Sequence, residues 1–313
     1  MDAETHHHPV RVLSVHRGKI AVAGAASLRF VNPHMPDAVD EDDHPTVGDW
    51  LLLDEQTQQP VRILRRQSLF KRRAPGTDRK SQLIAANVDT VFLVASCNQD
   101  FSAARLERYL VLAREVGVNP VVVLTKTDLT ETPETFVEAV HKLQPGLLVK
   151  AVDARDPASV ASLAMWCAKG ETVALMGSSG VGKSTLVNSL RGSDSIATQA
   201  IRKGDGTGRH TTTVREMHRL DHGGWLLDTP GMRELQLSDA AVGIAEIFDD
   251  IVAAAENCRF SDCAHEVEPG CAVQALVAEG ALLPTRLDRW RRLAMEEQSN
   301  SATLAQRRGR QRR

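Results

Sequence analysis

A glycine-rich segment, GSSGVGKST at 177–185, contains residue types that bind phosphate. It fits the pattern G-x-x-x-x-G-K-[ST], and it follows an apolar run and opens a helical pattern, which is the context of a phosphate loop. In such loops the backbone N–H groups and the lysine bind phosphate oxygens, and the serine binds Mg²⁺. The predicted nucleotide contacts are Gly177, Ser178, Ser179, Gly180, Val181, Gly182, Lys183, Ser184 and Thr185.

A second phosphate-side element is the run LLDTPG, in which Asp228 ends an apolar strand. Asp228 is predicted to hold Mg²⁺, directly or through water, and the N–H of Gly231 is predicted to reach the γ-phosphate. The intervening segment RKGDGTGRHTTTVRE is long, polar and glycine-rich, as expected of a loop that senses the nucleotide. Thr211, Thr212 and Thr213 are its candidate Mg²⁺ ligands, and Thr212 is the preferred one.

Nucleotide hydrolysis needs a group that positions water. The residue after DTPG is Met232, which cannot hydrogen-bond usefully, so we expect slow turnover by the protein alone. His210 is the best candidate for the missing group, beside Thr212 and Lys183 as further catalytic residues. A partner that supplies the group in trans is the alternative.

The run VVVLTKTDL has the Asn/Thr-Lys-x-Asp pattern of guanine-binding loops at its end. Asp128 would accept hydrogen bonds from the ring N–H and the exocyclic amine of guanine, whereas adenine would leave this carboxylate unpaired. Lys126 would cover the base, and the hydroxyl of Thr125 would tie this loop to the phosphate loop. The predicted base contacts are Thr125, Lys126, Thr127 and Asp128.

The order of these motifs is unusual, because the guanine motif precedes the phosphate loop. Apolar strands alternate with helical patterns from residue 87 onward, which predicts a parallel sheet covered on both faces. The segments before the phosphate loop supply the last three strands of a Ras-like domain, and the later segments supply the first three. The central α/β domain is therefore predicted to be circularly permuted, with Ala151 and Val152 near the remaining base contacts.

The N-terminal region has a different pattern. Residues 10 to about 65 contain short apolar or alternating runs separated by turn residues, such as VRVLSV, GKIAVAG and VGDWLLLD. Five short strands in about sixty residues predict a small β-barrel of the OB-fold type.

A group of potential metal ligands follows the nucleotide motifs. Cys258, Cys263, His265 and Cys271 have the spacing C-x4-C-x-H-x5-C. Three thiolates and one imidazole suit tetrahedral Zn²⁺, and a complete set of protein ligands indicates a structural ion. Unliganded thiols are the alternative, since the spacing is less familiar than paired C-x2-C motifs. The surrounding patterns predict a small, mainly helical domain.

Charge and hydropathy narrow the class of protein. The net charge of −2 hides two basic segments, one at 62–80 with eight Lys/Arg and one acid, and one at 286–313 with nine Arg and three acids. They indicate a polyanionic partner, with a solvated helix face and a disordered tail as the alternative. No apolar run is long enough to span a membrane, so a cytoplasmic protein without a membrane partner is expected. A monomer is also expected.

Taken together, the barrel, TKTD, GSSGVGKST, GRHTTT, DTPG and the cysteine cluster resemble the circularly permuted GTPases, and in particular the ribosome small subunit-dependent GTPase A family. This resemblance covers almost the whole chain. It implies hydrolysis of GTP to GDP, stimulated by the small (30S) ribosomal subunit, and a role in late maturation of that subunit. It also implies contact with 16S rRNA through the barrel and the zinc domain, and other maturation factors as partners.

The expected domains are an OB-fold RNA-binding barrel at 1–70, a permuted G domain at 71–237, a zinc-binding helical domain at 238–300 and a basic, disordered tail at 301–313. Because residues 232–238 would join the γ-phosphate sensor to the zinc domain, nucleotide state is expected to reorient that domain. Two alternatives remain open. One is a nucleotide-gated rRNA-binding checkpoint factor whose hydrolysis only serves release, and the other is an ATP-dependent enzyme with a coincidental TKTD.

Overall fold

The computed structural model describes residues 7–24, 28–73, 81–192, 215–228 and 240–311. The chain divides into two compact units. The first unit spans Met1–Ser102 and Val116–Gln236, and the second combines Ala103–Glu115 with Leu237–Arg313. A helix from the middle of the predicted G domain thus belongs to the second unit.

The strands of the described residues all lie in the first unit. They are β1 His7–His16, β2 Lys19–Ala23, β3 Leu28–Val31, β4 Trp50–Asp54, β5 Pro60–Ile63, β6 Leu69–Arg73, β7 Ser81–Ala86, β8 Thr90–Ser96, β9 Asn119–Thr125, β10 Leu148–Ala151, β11 Thr172–Gly177, β12 Arg215–Arg219 and β13 Trp225–Asp228.

The α-helices are α1 Ala103–Glu115, α2 Pro133–His141, α3 Pro157–Val160, α4 Lys183–Leu190, α5 Ala241–Ile247, α6 Asp249–Ala255, α7 Ala272–Ala278 and α8 Pro284–Gln311. Short 3-10 helices occupy Glu41–Asp43, Thr127–Leu129 and Ala161–Cys167. Among the described residues, no helix has the length and apolar character that a membrane span requires.

The central sheet has the strand order β10-β9-β8-β11-β13-β12. Neighbouring strands are parallel except for β12, which runs antiparallel to β13. The strands that precede the phosphate loop (β8 to β10) lie on one side of β11, and the strands that follow it lie on the other. This arrangement confirms the predicted permutation of the α/β domain.

The strongly apolar strands of this sheet form its centre. Every residue of β8 and β11 is buried, and so is every residue of β9 after Asn119. Strands buried on both faces read as continuous apolar runs, which explains why these three were recognisable in the sequence. These buried strands therefore fix the positions of the loops that follow their carboxyl ends, and those loops carry the polar groups.

Five antiparallel strands precede the central sheet, in the order β3-β2-β1-β4-β5, and share a buried core that includes Val10, Ile20 and Leu51. The predicted strand-rich N-terminal region is thus confirmed. Strand β1 also pairs with β12, with Ser14 opposite Glu216, so these strands continue the central sheet. Strands β6 and β7 form a separate hairpin.

Two segments differ from the sequence-based expectation. The linker DPASVASLAMWCAKG at 156–170 has a sequence typical of one helix, but it forms the single turn α3 and then a 3-10 helix. The end of this segment pairs with the turn before β13, because the N–H of Gly224 donates to Cys167 O at 3.2 Å and Ala168 forms an isolated antiparallel β-bridge with Gly223. Residues 301–311, predicted to be disordered, continue α8. Their Ala, Leu, Gln and Arg residues are good helix formers, which accounts for this extension.

Candidate nucleotide and metal sites

The phosphate loop joins β11 to α4 at the carboxyl edge of the central sheet. Gly177 is required there, since an added Cβ would lie 2.5 Å from Val94 O on the neighbouring strand. Gly182 has a φ of 92° and precedes the first turn of α4. Lys183 Nζ donates to Gly177 O at 2.8 Å and also to Ser178 O, so its ammonium group lies across the loop. The loop therefore has the glycine conformations and the cation that phosphate binding needs.

The predicted guanine motif is joined directly to this loop. Thr125 is fully buried, and its Oγ1 lies 2.5 Å from Val181 O and 3.1 Å from Ala95 O. The hydroxyl thus reaches the phosphate loop in space, although the two residues are 56 positions apart in the chain. Lys126 follows with a φ of 59°, and Thr127–Leu129 form a 3-10 turn that presents Asp128.

The loop after β10 lies beside this motif. Val152 is fully buried, and its N–H donates to Leu124 O at 2.8 Å, which extends the β-ladder by one residue. Val152 therefore packs in the core, and the loop begins at Asp153, one position beyond the predicted Ala151 and Val152. Sequence reasoning also missed Arg155, whose Nη2 lies 2.5 Å from Asp128 Oδ2. No local spacing signals this pair, because the two residues lie 27 positions apart.

Asp228 ends β13, whose backbone runs parallel to β11 with Leu227 opposite Ala174. The carboxyl ends of parallel neighbours share one edge of a sheet, so Asp228 lies at the edge that carries the phosphate loop. The predicted residues Gly231, His210 and Thr212 lie outside the described residues. The same holds for Thr211, Thr213, Met232 and the segment 232–238.

The four predicted metal ligands come together in the second unit. The ligand atoms of Cys258, Cys263, His265 and Cys271 all lie within 4.8 Å of one another. His265 Nδ1 is 3.5 Å from the sulfurs of Cys258 and Cys271, and these two sulfurs are 3.9 Å apart. Tetrahedral Zn²⁺ with ordinary bond lengths separates its ligand atoms by about 3.5–3.8 Å. The donor set and its spacing therefore fit a zinc ion.

Several backbone contacts hold the cluster in shape. Glu268 accepts hydrogen bonds from the N–H groups of Ala264 and Glu266, both at 2.8 Å, and backbone N–H donors of this kind lower its pKa to about 2. Gln274 Nε2 donates to His265 O at 2.6 Å. Burial lowers the pKa of His265, which favours the neutral imidazole that binds metals.

The basic segments have partners within the chain. Arg66 Nε contacts Asp49 Oδ1 at 2.7 Å, and the Asp49 side chain is fully buried. Glu107 of α1 is also fully buried and pairs with Arg289 and, at 3.6 Å, with Arg286 of α8. Part of the positive charge that indicated a polyanionic partner therefore neutralises buried carboxylates.

Comparison with known proteins gives a consistent family assignment. Residues 63–238 match the family described as RsgA GTPase. The Small ribosomal subunit biogenesis GTPase RsgA 2 of Vibrio parahaemolyticus is 48% identical over 304 residues, which cover 96% of this chain and 83% of that protein. The Small ribosomal subunit biogenesis GTPase RsgA of Mesorhizobium japonicum is 46% identical over 304 residues, which cover 96% of this chain and 87% of that protein.

Two solved structures share the fold. The crystal structure of YjeQ from Thermotoga maritima has a TM-score of 0.63 and 24% sequence identity, and the match covers 91% of this chain and 96% of that one. YloQ, whose structure is described as a circularly permuted GTPase, also has a TM-score of 0.63 and 24% identity, with 96% and 98% covered. From the family match and these relatives, this chain belongs to the RsgA GTPase family.

Proposed function

We propose that this protein hydrolyses GTP to GDP in the biogenesis of the small ribosomal subunit. The main support is the 2.5 Å contact between Thr125 Oγ1 and Val181 O, which joins a guanine-type motif to a phosphate loop. A base site and a phosphate site at adjoining strand ends suit a purine nucleotide. The names of the relatives supply the biological context.

The roles proposed for the residues follow from their chemistry. Lys183 and the N–H groups of the phosphate loop bind the β- and γ-phosphates, and Asp128 reads the guanine edge beneath Lys126. Ser184, Asp228 and Thr212 are the proposed Mg²⁺ ligands. The ion would neutralise negative charge on the phosphoryl oxygens during transfer.

Two proposals concern residues for which only the sequence is informative. His210 positions water or the γ-phosphate, and the Gly231 N–H contacts the γ-phosphate. Met232 offers no useful hydrogen bond to the attacking water, so a bound subunit is expected to stimulate hydrolysis by helping to position that water. Replacement of His210 by alanine should reduce stimulated hydrolysis more than it reduces GTP affinity.

A structural Zn²⁺ is proposed for the cysteine cluster, held by Cys258, Cys263, His265 and Cys271. The ligand separations given above support this assignment, and the ion would hold the segment before α7 against the helices of the second unit. We further propose that the N-terminal strands and this second unit contact 16S rRNA in the 30S subunit, and that the protein acts as a cytoplasmic monomer alongside other maturation factors.

The test is the rate of GTP hydrolysis with and without purified small ribosomal subunits, with ATP as the control nucleotide. We expect slow hydrolysis of GTP alone, a clear increase with small subunits, and no such increase with large subunits or ATP. Equal rates with and without subunits would contradict the proposal. Complete subunit maturation by a Ser184→Ala variant without hydrolysis would instead favour the checkpoint factor.

A further inference from the structure

Two carboxylates lie at the ends of neighbouring strands beside the proposed base site. Asp128 follows β9 and Asp153 follows β10, and these strands pair in parallel with Ala151 opposite Leu124. The side chains of Asp128 and Asp153 are only 24% and 27% exposed. Two partly buried charges of the same sign in adjoining loops repel each other, and this repulsion acts on the carboxylate proposed to read guanine.

Arg155 bridges the two carboxylates. Its Nη2 lies 2.5 Å from Asp128 Oδ2, and its Nε lies 3.4 Å from Asp153 Oδ1. The backbone N–H of Arg155 also donates to Asp153 Oδ1 at 2.9 Å, which lowers the pKa of Asp153. The hydrogen bond with Asp153 in turn raises the pKa of Arg155. The bridge therefore joins one guanidinium to both carboxylates.

A carboxylate oxygen has two lone pairs, so Asp128 can accept from Arg155 and from a base edge at the same time. Guanine recognition needs both oxygens of Asp128 to face the ring N–H and the exocyclic amine. A guanidinium with a fixed fork of donors can hold this orientation, whereas the compact ammonium of lysine cannot reproduce the fork.

We infer that Arg155 is a specificity-determining positioning residue, which shields Asp128 from Asp153 and orients it toward the guanine edge. This inference rests on the proposed role of Asp128 in reading guanine. A side chain of the loop after β10 would then contribute to the selection of guanine. The bridge also explains how a second acid, Asp153, is tolerated beside the base site.

The experiment measures the affinities of GDP and of inosine diphosphate, which lacks the exocyclic amine, by titration calorimetry. The proteins are the full-length chain and its Arg155→Ala, Arg155→Lys, Asp153→Asn and Arg155→Ala/Asp153→Asn variants. Lys142→Ala is the matched control, since Lys142 is an exposed cation of the same unit on the end of α2.

We expect Arg155→Ala to weaken GDP binding by roughly two- to fivefold, the range typical of a partly exposed ion pair. The preference for GDP over inosine diphosphate should fall by a similar factor, because the amine contact depends on the orientation of Asp128. Asp153→Asn in the same chain should restore both values in part, because it removes the repulsion but does not orient Asp128. Arg155→Lys should also restore them in part, because it keeps the charge but not the fork. Lys142→Ala should change neither.

Three results would overturn the inference: unchanged GDP affinity in Arg155→Ala, tighter GDP binding, or an equal loss for both nucleotides. A separate arm tests the role of Asp128 itself through Asp128→Asn, measured with GDP and xanthosine diphosphate. If that variant does not shift its preference toward xanthosine diphosphate, the proposed guanine contact fails. If it does shift while Arg155→Ala behaves as the parent, only the role of Arg155 fails.

Discussion

The two units of the chain are stabilised in different ways. In the first unit, β8, β9 and β11 are buried along nearly their whole length, and one apolar cluster joins them to α4. The second unit also has buried apolar side chains, such as Leu110, Phe248 and Ile251, but it adds a fully buried carboxylate paired with arginines and a cluster of four metal-type ligands. Apolar burial therefore positions the nucleotide motifs, whereas the second unit combines apolar burial with a buried charge pair and a metal-type site.

The two units are therefore expected to be sensitive to different substitutions. A packed sheet tolerates changes at its loop ends, because the strands keep their apolar contacts when a polar loop residue is replaced. Glu107 depends on its partners, since burial raises its pKa and Arg286 and Arg289 pair with its carboxylate. Removing one partner of such a buried pair leaves an uncompensated charge, which is strongly destabilising. Four substitutions test this contrast, in order of decreasing expected effect.

Loss of a cysteine ligand should have the largest effect, and it should be confined to the second unit. Cys258→Ala removes one of four zinc ligands, and structural zinc contributes about 10–16 kcal/mol to folding in small zinc-finger peptides. Hydrogen exchange should become fast in α7 and α8, and bound zinc should be lost, while β8 and β11 stay protected. Cys167→Ala, which removes a buried thiol of the first unit, is the control. Unchanged zinc content and exchange in Cys258→Ala would show that Cys258 does not hold the ion.

Glu107→Gln should destabilise the second unit next most strongly. The substitution keeps the shape but removes the charge that pairs with Arg289, whereas Arg286 keeps its 2.8 Å contact with Asp250. Breaking a buried pair in this way costs about 3–5 kcal/mol. Hydrogen exchange in α1 and α8 measures this cost as a lowered free energy of opening.

Glu296→Gln is the matched control for Glu107→Gln. Glu296 pairs with Arg108 between the same two helices, but its side chain is 34% exposed. An exposed pair contributes at most about 1 kcal/mol. Equal effects of the two variants would mean that burial of Glu107 is not what makes its pairing important.

Lys183→Ala should reduce nucleotide affinity without loosening either unit. A charge-assisted hydrogen bond is worth about 1.5–3 kcal/mol, so GTP should bind roughly ten- to a hundredfold more weakly. Lys183 contacts backbone carbonyls of its own loop, and the strand before that loop is buried along its whole length, so thermal unfolding should change little. Lys142→Ala controls for loss of a surface cation. A large fall in thermal stability would indicate a structural role for Lys183 instead.

Thr125→Val should have the smallest effect of the four. Valine preserves the buried shape of the side chain but removes the hydroxyl that donates a hydrogen bond to Val181 O. Loss of this hydrogen bond costs about 1 kcal/mol. GTP affinity should fall about fivefold, because the phosphate loop loses its tie to the base motif. Thr135→Val is the control, since Thr135 makes a comparable hydrogen bond to Thr132 O in exposed α2. Identical GTP affinities in both variants would show that the tie is not needed for binding.

Local patterns made much of the fold and site predictable. The strands β8, β9 and β11 are continuous apolar runs, and the phosphate loop and the cysteine cluster are short motifs whose residues meet over a few turns. The permutation could be predicted because each strand has a recognisable apolar run and a motif after it, and neither depends on the order of the strands in the chain.

Long-range pairs could not be predicted in the same way. Glu107 and Arg289 are 182 positions apart, and no periodicity links them. Likewise, α1 reads as an ordinary helix of the α/β domain, yet it belongs to the unit that contains α8. The contact of Arg155 with Asp128 depends on the register of β9 and β10, which a single sequence does not specify.

The most direct test of the account is the nucleotide specificity of hydrolysis in Asp128→Asn, measured with GTP and xanthosine triphosphate in the presence of small ribosomal subunits. The amide of asparagine complements the additional carbonyl of xanthine, while it loses the charge that binds the guanine amine. We predict that the variant hydrolyses xanthosine triphosphate with subunit stimulation and GTP only poorly. Continued preference for GTP would contradict the proposal that TKTD reads the base.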